Sequence, residues 1–362
     1  MPAALAALHT SHHARFGEVQ GVSLPLGYGD FPAEVEAIER GLGVLDLEAC
    51  GVLLVRGPDA AAFLNGLLTS DVHRLPEGQA QAGLLCATKG QVRHAVRIAH
   101  LRAGQYLLVT EPGERETVAG HLDGYLIRED AEIGQVPLVR LDLLGPQAEA
   151  GLRALGRSTA EPVGTWREAP LLAFSQPLGA VPRALVLLPA ALAADWSAAL
   201  LAAVPAARLV GFEAFDEARI RAGVPRFGVD YGRDELPAEA ALYDHIAFNK
   251  GCYVGQEVHA RLHYRGHVNR KLCAVALPAE DAQALAPGAE LYAGGEAVGR
   301  LTSLARLPVA GERRGIAMVR YKVLEAGTPL AATPAGPATL RTAPLATDLG
   351  AGLGAGLGTE RA

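Results

Sequence analysis

The sequence predicts an α+β fold with antiparallel sheets, and three patterns along the chain support this class. Strand-like segments run into helices through a Gly-Pro junction, residues 82–110 alternate as a meander of hairpins, and short strands separated by Pro and Gly follow Asn269. The order is neither a repeating strand–helix–strand series nor all-β, so a mixed fold is favoured.

The Gly-Pro junction occurs twice. A strand pattern over 52–56 is followed by Gly57-Pro58 and by apolar residues at helical spacing up to Leu67. The stretch LDLLGPQAEAGLRAL repeats that order around Gly145-Pro146. Such junctions are common, so we favour coincidence over duplication, and a second αβ unit is expected to begin near residue 137.

The other segments are less regular. After a loose start, residues 43–47 indicate a short buried strand, and helices are expected over 111–129 and 213–223. The short strands after Asn269 indicate a small β-barrel or sandwich. The chain ends in TDLGAGLGAGLGTERA, a Gly-Ala-Leu repeat with little to pack, and the tail from 341 to 362 is expected to be disordered.

Composition excludes several classes of protein. The net charge of −6 argues against direct nucleic-acid binding by the whole chain. The four cysteines are scattered without a CxxC pair, which favours a reducing compartment. Neither a signal peptide nor an apolar run of about 20 residues is evident, so we expect a cytoplasmic protein without membrane association.

The segment NKGCYVGQEVHARLHYRGH, residues 249–267, concentrates the chemistry of the chain. Cys252 follows Lys250, and Gly255-Gln256-Glu257 is typical of a helix start, where a thiolate would be stabilised. The alternative is that Cys252 is a small buried apolar residue, as most free cysteines are.

The same segment carries histidines and cations. His259 and His263 would share one face of a helix ending near Gly266, but the HExxH arrangement of a zinc protease is absent, so we expect no metal. A basic helical face is the simpler explanation. The cations either converge on a carboxylate or phosphate or form a solvated face. The chain also lacks the GxGxxG, P-loop and GxSxG motifs.

Residues 250–257, KGCYVGQE, are similar to the KGCYxGQE signature of the YgfZ family. Members of that family bind folate, are implicated in assembling or repairing iron–sulfur clusters, and are related to the glycine cleavage T-protein, an aminomethyltransferase. The resemblance continues upstream in RIRAGVP, residues 219–225, and in LPAEA, residues 236–240, and it covers about residues 40–330.

The resemblance implies a three-domain ring around a cavity for tetrahydrofolate. The domains would be a split folate-binding domain (1–136 and 205–266), a ferredoxin-like αβ domain (137–204) and a C-terminal β-barrel (267–340). It also implies that Cys252 is a working thiol with Lys250 beside it. The candidates for binding folate are Lys89, Arg219, Arg226, Asp230, Tyr253, Gln256, Glu257 and Arg261.

This chain departs from the T-protein pattern in two places. Aminomethyltransferases carry an Asp-Asp pair where residues 89–94 read KGQVRH, and a pterin-binding glutamate in a stretch that matches residues 173–190, which contain no acidic residue. Both departures weigh against aminomethyl transfer. A third departure is Arg221, where the family usually has Glu.

Three functional hypotheses follow. The first is a folate-binding accessory protein that serves iron–sulfur client proteins through Cys252, although one cysteine cannot hold a cluster alone. The second is a folate-dependent one-carbon transferase, of the aminomethyltransferase or demethylase type. The third is a folate-binding scaffold without thiol chemistry.

Overall fold

The structure, a computed structural model, describes residues 5–347, apart from the side chain of residue 284. The helices are α1 (Ala6–Ser11), α2 (Phe31–Arg40), α3 (Ala60–Leu67), α4 (Arg115–Asp123), α5 (Ala148–Ala154), α6 (Ala190–Ala203), α7 (Phe212–Arg221), α8 (Gln256–Arg265) and α9 (Tyr321–Glu325). The strands of the first half are β1 (Arg15–Val19), β2 (Val22–Gly27), β3 (Leu42–Asp46), β4 (Cys50–Arg56), β5 (Ala80–Cys86), β6 (Val92–Arg102), β7 (Gln105–Pro112), β8 (Glu132–Gln135) and β9 (Leu138–Leu144). Those of the second half are β10 (Val163–Trp166), β11 (Ala169–Ser175), β12 (Arg183–Pro189), β13 (Ala207–Val210), β14 (Arg270–Pro278), β15 (Glu290–Ala293), β16 (Glu296–Leu304), β17 (Glu312–Arg320) and β18 (Arg341–Ala343).

The predicted α+β class is confirmed by the sheets. Strands β1 and β2 form a hairpin, and the larger sheets have the orders β10-β11-β12-β9-β3-β13, β5-β6-β7-β4-β8 and β15-β16-β17-β14-β18. Antiparallel pairing predominates, whereas β13 pairs with β3 in parallel.

Both Gly-Pro junctions form as predicted, with β4 leading into α3 and β9 into α5. Gly57 and Gly145 adopt φ values of 138° and 113°, which only glycine adopts readily. A Cβ at Gly57 would lie 2.3 Å from the carbonyl oxygen of Asp130, and one at Gly145 would lie 2.6 Å from that of Gly41. The glycines therefore permit close approach of two backbone segments.

The chain divides into two compact units. The first comprises the chain up to Leu85, His94–Ala218 and Lys250–Tyr253, and the second comprises Cys86–Arg93, Arg219–Asn249 and the chain from Val254 onward. In the first unit, α5 and α6 pack on the six-stranded sheet, and Trp196 and Leu200 are fully buried there. Residue 137, where a second αβ unit was expected to begin, lies between β8 of the five-stranded sheet and β9 of the six-stranded sheet, and the six-stranded sheet also contains β3 and β13. The three-domain division stays a prediction.

The run of short strands predicted after Asn269 is confirmed in the second unit, where β14–β17 enclose a core that includes Val275, Leu301 and Val319, and the short helix α9 follows β17. Residues 341–343, expected to begin a disordered tail, instead form β18 and pair with β14. The pairing partner lies about seventy residues earlier in the chain, which local composition does not reveal. The tail from residue 348 lies outside the described residues.

Two further expectations are corrected. From residue 5 onward the start of the chain is not loose, since α1, the β1–β2 hairpin and α2 follow one another. The Asp30 side chain caps α2 by accepting a hydrogen bond from the backbone N–H of Ala33. The helix expected over 111–129 is shortened to α4, because β7 continues to Pro112 and pairs there with β4.

Within residues 5–347, the helices are too short or too polar to cross a bilayer.

Candidate functional site

The signature segment 250–257 begins in the first compact unit and ends in the second. Lys250–Tyr253 pack with the first unit, and the segment from Val254 packs with the second.

Lys250 is anchored at the end of α3. Its ammonium nitrogen Nζ donates hydrogen bonds to the backbone oxygens of Asn65 (2.7 Å), Leu68 (2.7 Å) and Ser70 (2.8 Å). The last carbonyls of a helix have no partner within the helix, and a lysine is well suited to bond them. All three N–H groups of the Lys250 ammonium therefore donate to backbone carbonyls. These hydrogen bonds fix the loop that carries Cys252.

Burial lowers the pKa of Lys250 to about 8, and the nearby carboxylate of Asp71 opposes this shift. The Lys250 ammonium also lies 5.0 Å from the centre of the Tyr253 ring, which is buried. Lys250 and Tyr253, two of the predicted site residues, thus contact each other and the fold.

Cys252 lies between these two anchored residues and is exposed, whereas Cys50, Cys86 and Cys273 are buried. The alternative that Cys252 is a small buried apolar residue is therefore wrong. Burial raises the pKa of Cys50, Cys86 and Cys273 to about 12, so these thiols stay protonated. Among the four, Cys252 is the thiol that a solvent-borne reagent can reach.

In the second unit, the turn between β5 and β6 packs on the first turn of α8. Gly255 precedes α8 with φ +87°, and a Cβ there would lie 2.8 Å from the carbonyl oxygen of Ala87. On the other side of the contact, Gly90 has φ +83° and its carbonyl oxygen lies 2.8 Å from Nε2 of the buried His259. The two glycines and His259 therefore fix the turn against the helix.

This contact brings four predicted folate-binding residues into one region. Lys89 is exposed at the tip of the turn, Gln256 is half-buried at the start of α8, and Glu257 and Arg261 are exposed along the helix. Glu257 lies in the first turn, where a carboxylate interacts favourably with the helix dipole. The region offers two cations, an amide and a carboxylate to solvent.

Arg219 and Asp230 instead form a buried ion pair in the second unit, with 1% and 4% of their surfaces exposed. Asp230 also accepts hydrogen bonds from the hydroxyls of Thr302 and Ser303 and from the backbone N–H of Arg226. Arg219 donates to the Ser303 hydroxyl, at 2.8 Å. Both side chains are thus engaged in the interior, whereas Arg226 is half-buried.

His259 and His263 of the segment lie in different environments. Besides bonding Gly90, His259 has a pKa lowered by burial, which favours the neutral ring. The exposed ring of His263 stacks on Phe248 at a centroid distance of 3.9 Å. Helix α8 ends at Arg265 with Gly266 as its cap, as predicted. Across residues 5–347, no group of three or more His, Cys, Asp or Glu side chains is arranged to hold a metal ion.

A carboxylate missed by sequence analysis lies beside His94, the last residue of the stretch 89–94. Nδ1 of the buried His94 is 2.7 Å from Oε2 of Glu114, which precedes α4. Glu114 comes twenty residues after His94, so spacing along the chain could not reveal the pair. Both side chains are largely buried, and the pair ties β6 to the start of α4.

Comparison with known proteins gives a consistent result. A model of the GCVT N-terminal domain matches residues 5–173. The aminomethyltransferase of Rubrobacter xylanophilus is 30% identical over 324 residues, covering 86% of this chain and 85% of that protein. The aminomethyltransferase of Streptomyces avermitilis is 29% identical over 332 residues, covering 87% of each.

A solved structure extends the likeness to the fold. The glycine cleavage system aminomethyltransferase T from Bartonella henselae superposes with a TM-score of 0.82 at 23% identity, over 90% of this chain and 92% of that one. At this identity the match establishes the fold, and the predicted T-protein-like architecture is confirmed.

Proposed function

Because this chain belongs to the aminomethyltransferase family, we propose that it is a tetrahydrofolate-dependent one-carbon transferase. The observation that carries the proposal is the length of the match, which spans 86% of the chain at 30% identity rather than one shared domain. It favours the transferase hypothesis over the accessory role in iron–sulfur assembly that the signature alone suggested.

The exposed residues of the second unit carry charges and hydrogen-bonding groups that can bind a folate. The glutamate tail of a folate carries carboxylates, and the cations of Lys89 and Arg261 are free to solvent on the turn and on α8. The pterin ring has an edge of donors and acceptors, which a side-chain amide such as that of Gln256 can pair. Arg219 and Asp230 are not needed as ligands, since they bond each other.

When bound, tetrahydrofolate would supply the nitrogen atoms that carry the one-carbon unit. The residues of this chain would bind and orient it: Lys89 and Arg261 through its carboxylates, and Gln256 and Glu257 through its polar ring edge. The Asp pair of the T-protein pattern is absent from residues 89–94, so we expect slower release of an amine than from proteins that carry it.

The transferase proposal is tested by methylene-tetrahydrofolate formation from an aminomethyl-lipoyl carrier protein. We expect turnover above the uncatalysed rate, reduced at least tenfold in Lys89→Ala Arg261→Ala through weaker folate binding. A protein that binds tetrahydrofolate without any turnover would overturn the transferase proposal and leave folate binding intact.

A second candidate is the YgfZ-type role, in which a folate-binding protein assists iron–sulfur clients through Cys252. The observation that favours it is the exposed thiol, held in a loop that Lys250 pins to the end of α3. Complementation of a deletion strain with Cys252→Ser tests it. Loss of iron–sulfur enzyme activity supports this role, and full restoration by both Cys252→Ser and Cys252→Ala contradicts it.

A further inference from the structure

The first unit contains a group of buried charges outside the region described above. We call it the arginine cluster, and its members are Cys50, Arg97, Glu111, Arg140, Asp142 and Arg183. They lie on the neighbouring strands β4, β6 and β7 of one sheet and on β9 and β12 of the other.

The centre of the arginine cluster is an ion pair with two parallel hydrogen bonds. Nε and Nη2 of Arg140 donate to the two carboxylate oxygens of Asp142, at 2.8 and 2.7 Å. Nη1 of Arg183 lies 3.6 Å from the same carboxylate, and Nη1 of Arg140 lies 3.6 Å from Sγ of Cys50. Arg140, Asp142 and Arg183 are each at most 5% exposed.

The cluster holds more positive than negative charge. Three guanidinium groups face two carboxylates, those of Asp142 and Glu111, which leaves one positive charge uncompensated. Burial and the neighbouring charge of Arg97 lower the pKa of Arg183 to about 9, even though Asp142 is close to it. An unbalanced buried charge is costly, and a bound anion is one way to offset it.

Arg97 is the least buried arginine of the cluster. Its side chain is 21% exposed, and the contact of its Nη1 with Glu111 is loose, at 3.6 Å. Its Nε is buried and has no hydrogen-bond partner among the described residues. The Nε edge of a guanidinium is a two-pronged donor whose geometry matches a carboxylate.

We propose that the arginine cluster is a binding site for a carboxylate anion, which Arg97 receives through its Nε edge and which balances the charge of Arg140 and Arg183. The site needs one negative charge, because the cluster lacks one. The carboxylate is either a free small acid or the acid group of a larger ligand, including the glutamate of a folate. The proposal stands whether or not one-carbon transfer occurs.

The test follows the thermal unfolding midpoint of the full chain as acetate replaces the bulky sulfonate of a HEPES buffer at constant ionic strength. We expect a midpoint that rises and saturates, as for ligand binding to the folded state alone. In Arg97→Gln the half-saturation concentration should rise at least tenfold. This variant leaves two arginines and two carboxylates, so it should unfold no earlier than the wild type when acetate is absent.

Arg56→Gln is the matched control, because Arg56 is an exposed arginine on β4 of the same five-stranded sheet and pairs with Glu132. It should keep the saturating response of the wild type. If Arg97→Gln does not fold, Arg97→Lys replaces it, and its response should also weaken because lysine lacks the two-pronged edge.

A parallel titration with p-aminobenzoylglutamate separates the two sources of the carboxylate. Saturation by acetate indicates a free small acid, and saturation by p-aminobenzoylglutamate alone indicates the tail of a folate. If the wild type and Arg97→Gln respond alike to both compounds, or if neither compound gives a saturating response in the wild type, the arginine cluster is not a carboxylate site.

Discussion

The signature segment combines residues with opposite surroundings. Lys250 is held by three backbone carbonyls and Gly255 fits against a carbonyl of the β5–β6 turn, whereas Cys252 and Glu257 face solvent. The comparison shows that a run of eight neighbouring residues can serve two purposes. Lys250 and Gly255 specify the local backbone, and the side chains of Cys252 and Glu257 remain accessible to a ligand.

The predicted folate-binding residues divide in the same way. Arg219 and Asp230 are buried against each other, and Lys89 and Arg261 are exposed. Substitutions in the buried group should therefore change stability, and those in the exposed group should change ligand binding. The following variants test that division, from the largest expected effect to the smallest.

Asp230→Ala should have the largest effect. It leaves the Arg219 guanidinium buried without its carboxylate and removes an acceptor from Thr302 and Ser303. Breaking a buried ion pair costs about 3–5 kcal/mol, so the free energy of unfolding in urea should fall by that amount. Glu312→Ala, which breaks the exposed pair with Arg341, is the control and should cost less than about 1 kcal/mol. Equal effects of the two variants would contradict the structural role of Asp230.

Lys250→Met should lower the free energy of unfolding by about 2–4 kcal/mol, because three backbone carbonyls lose a charged donor. Lys89→Met removes an exposed lysine and should change stability by less than about 0.5 kcal/mol. Chemical denaturation of the two variants measures the difference. If Lys250→Met is as stable as the wild type, the three hydrogen bonds of Lys250 do not contribute to stability.

Gly255→Ala should cost about 1–3 kcal/mol, since the new Cβ meets the carbonyl of Ala87 at 2.8 Å and the φ of +87° disfavours alanine. Gly251→Ala, four residues earlier in the same signature, has open space around its Cβ and is the matched control. Thermal unfolding midpoints distinguish them. A Gly251→Ala variant as unstable as Gly255→Ala would contradict this account of the glycines.

A further prediction concerns the pH dependence of stability. The pKa of Lys250 is lowered to about 8 in the folded protein, below the ordinary lysine value of 10.5. Between these values the unfolded chain binds more protons than the folded one, so this group makes stability rise as pH increases from 8 to 10.5. The stability of the wild type relative to Lys250→Met should therefore increase over that range. A constant difference would show that Lys250 does not titrate there.

Local patterns predicted much of the fold. The junctions at Gly57 and Gly145, the buried strand β3 and the end of α8 at Gly266 were all visible in neighbouring residues. What escaped prediction depends on distant partners. Strand β18 pairs with β14, and Lys250 bonds carbonyls about 180 residues earlier in the chain. Glu114 beside His94 belongs to the same class of contact.

The candidate site was also predicted only where its residues are neighbours in the sequence. The signature indicated that Cys252 and its neighbours matter, but the burial of Arg219 and Asp230 depends on Thr302 and Ser303, which lie more than seventy residues further along. Charge and spacing alone cannot distinguish an arginine that binds a ligand from one that holds the interior together. The aminomethyltransferase relatives match most of the chain, whereas the signature covers eight residues, and the two observations lead to different functional hypotheses.

The account is tested most directly by calorimetric titration of tetrahydrofolate into the wild type and into Lys89→Ala Arg261→Ala. We expect one site on the wild type. In the double variant we expect at least a tenfold loss of affinity, about 1.4 kcal/mol, with an unchanged unfolding midpoint. Absence of binding to the wild type, or equal affinity of the two proteins, would contradict the assignment of the exposed residues to folate.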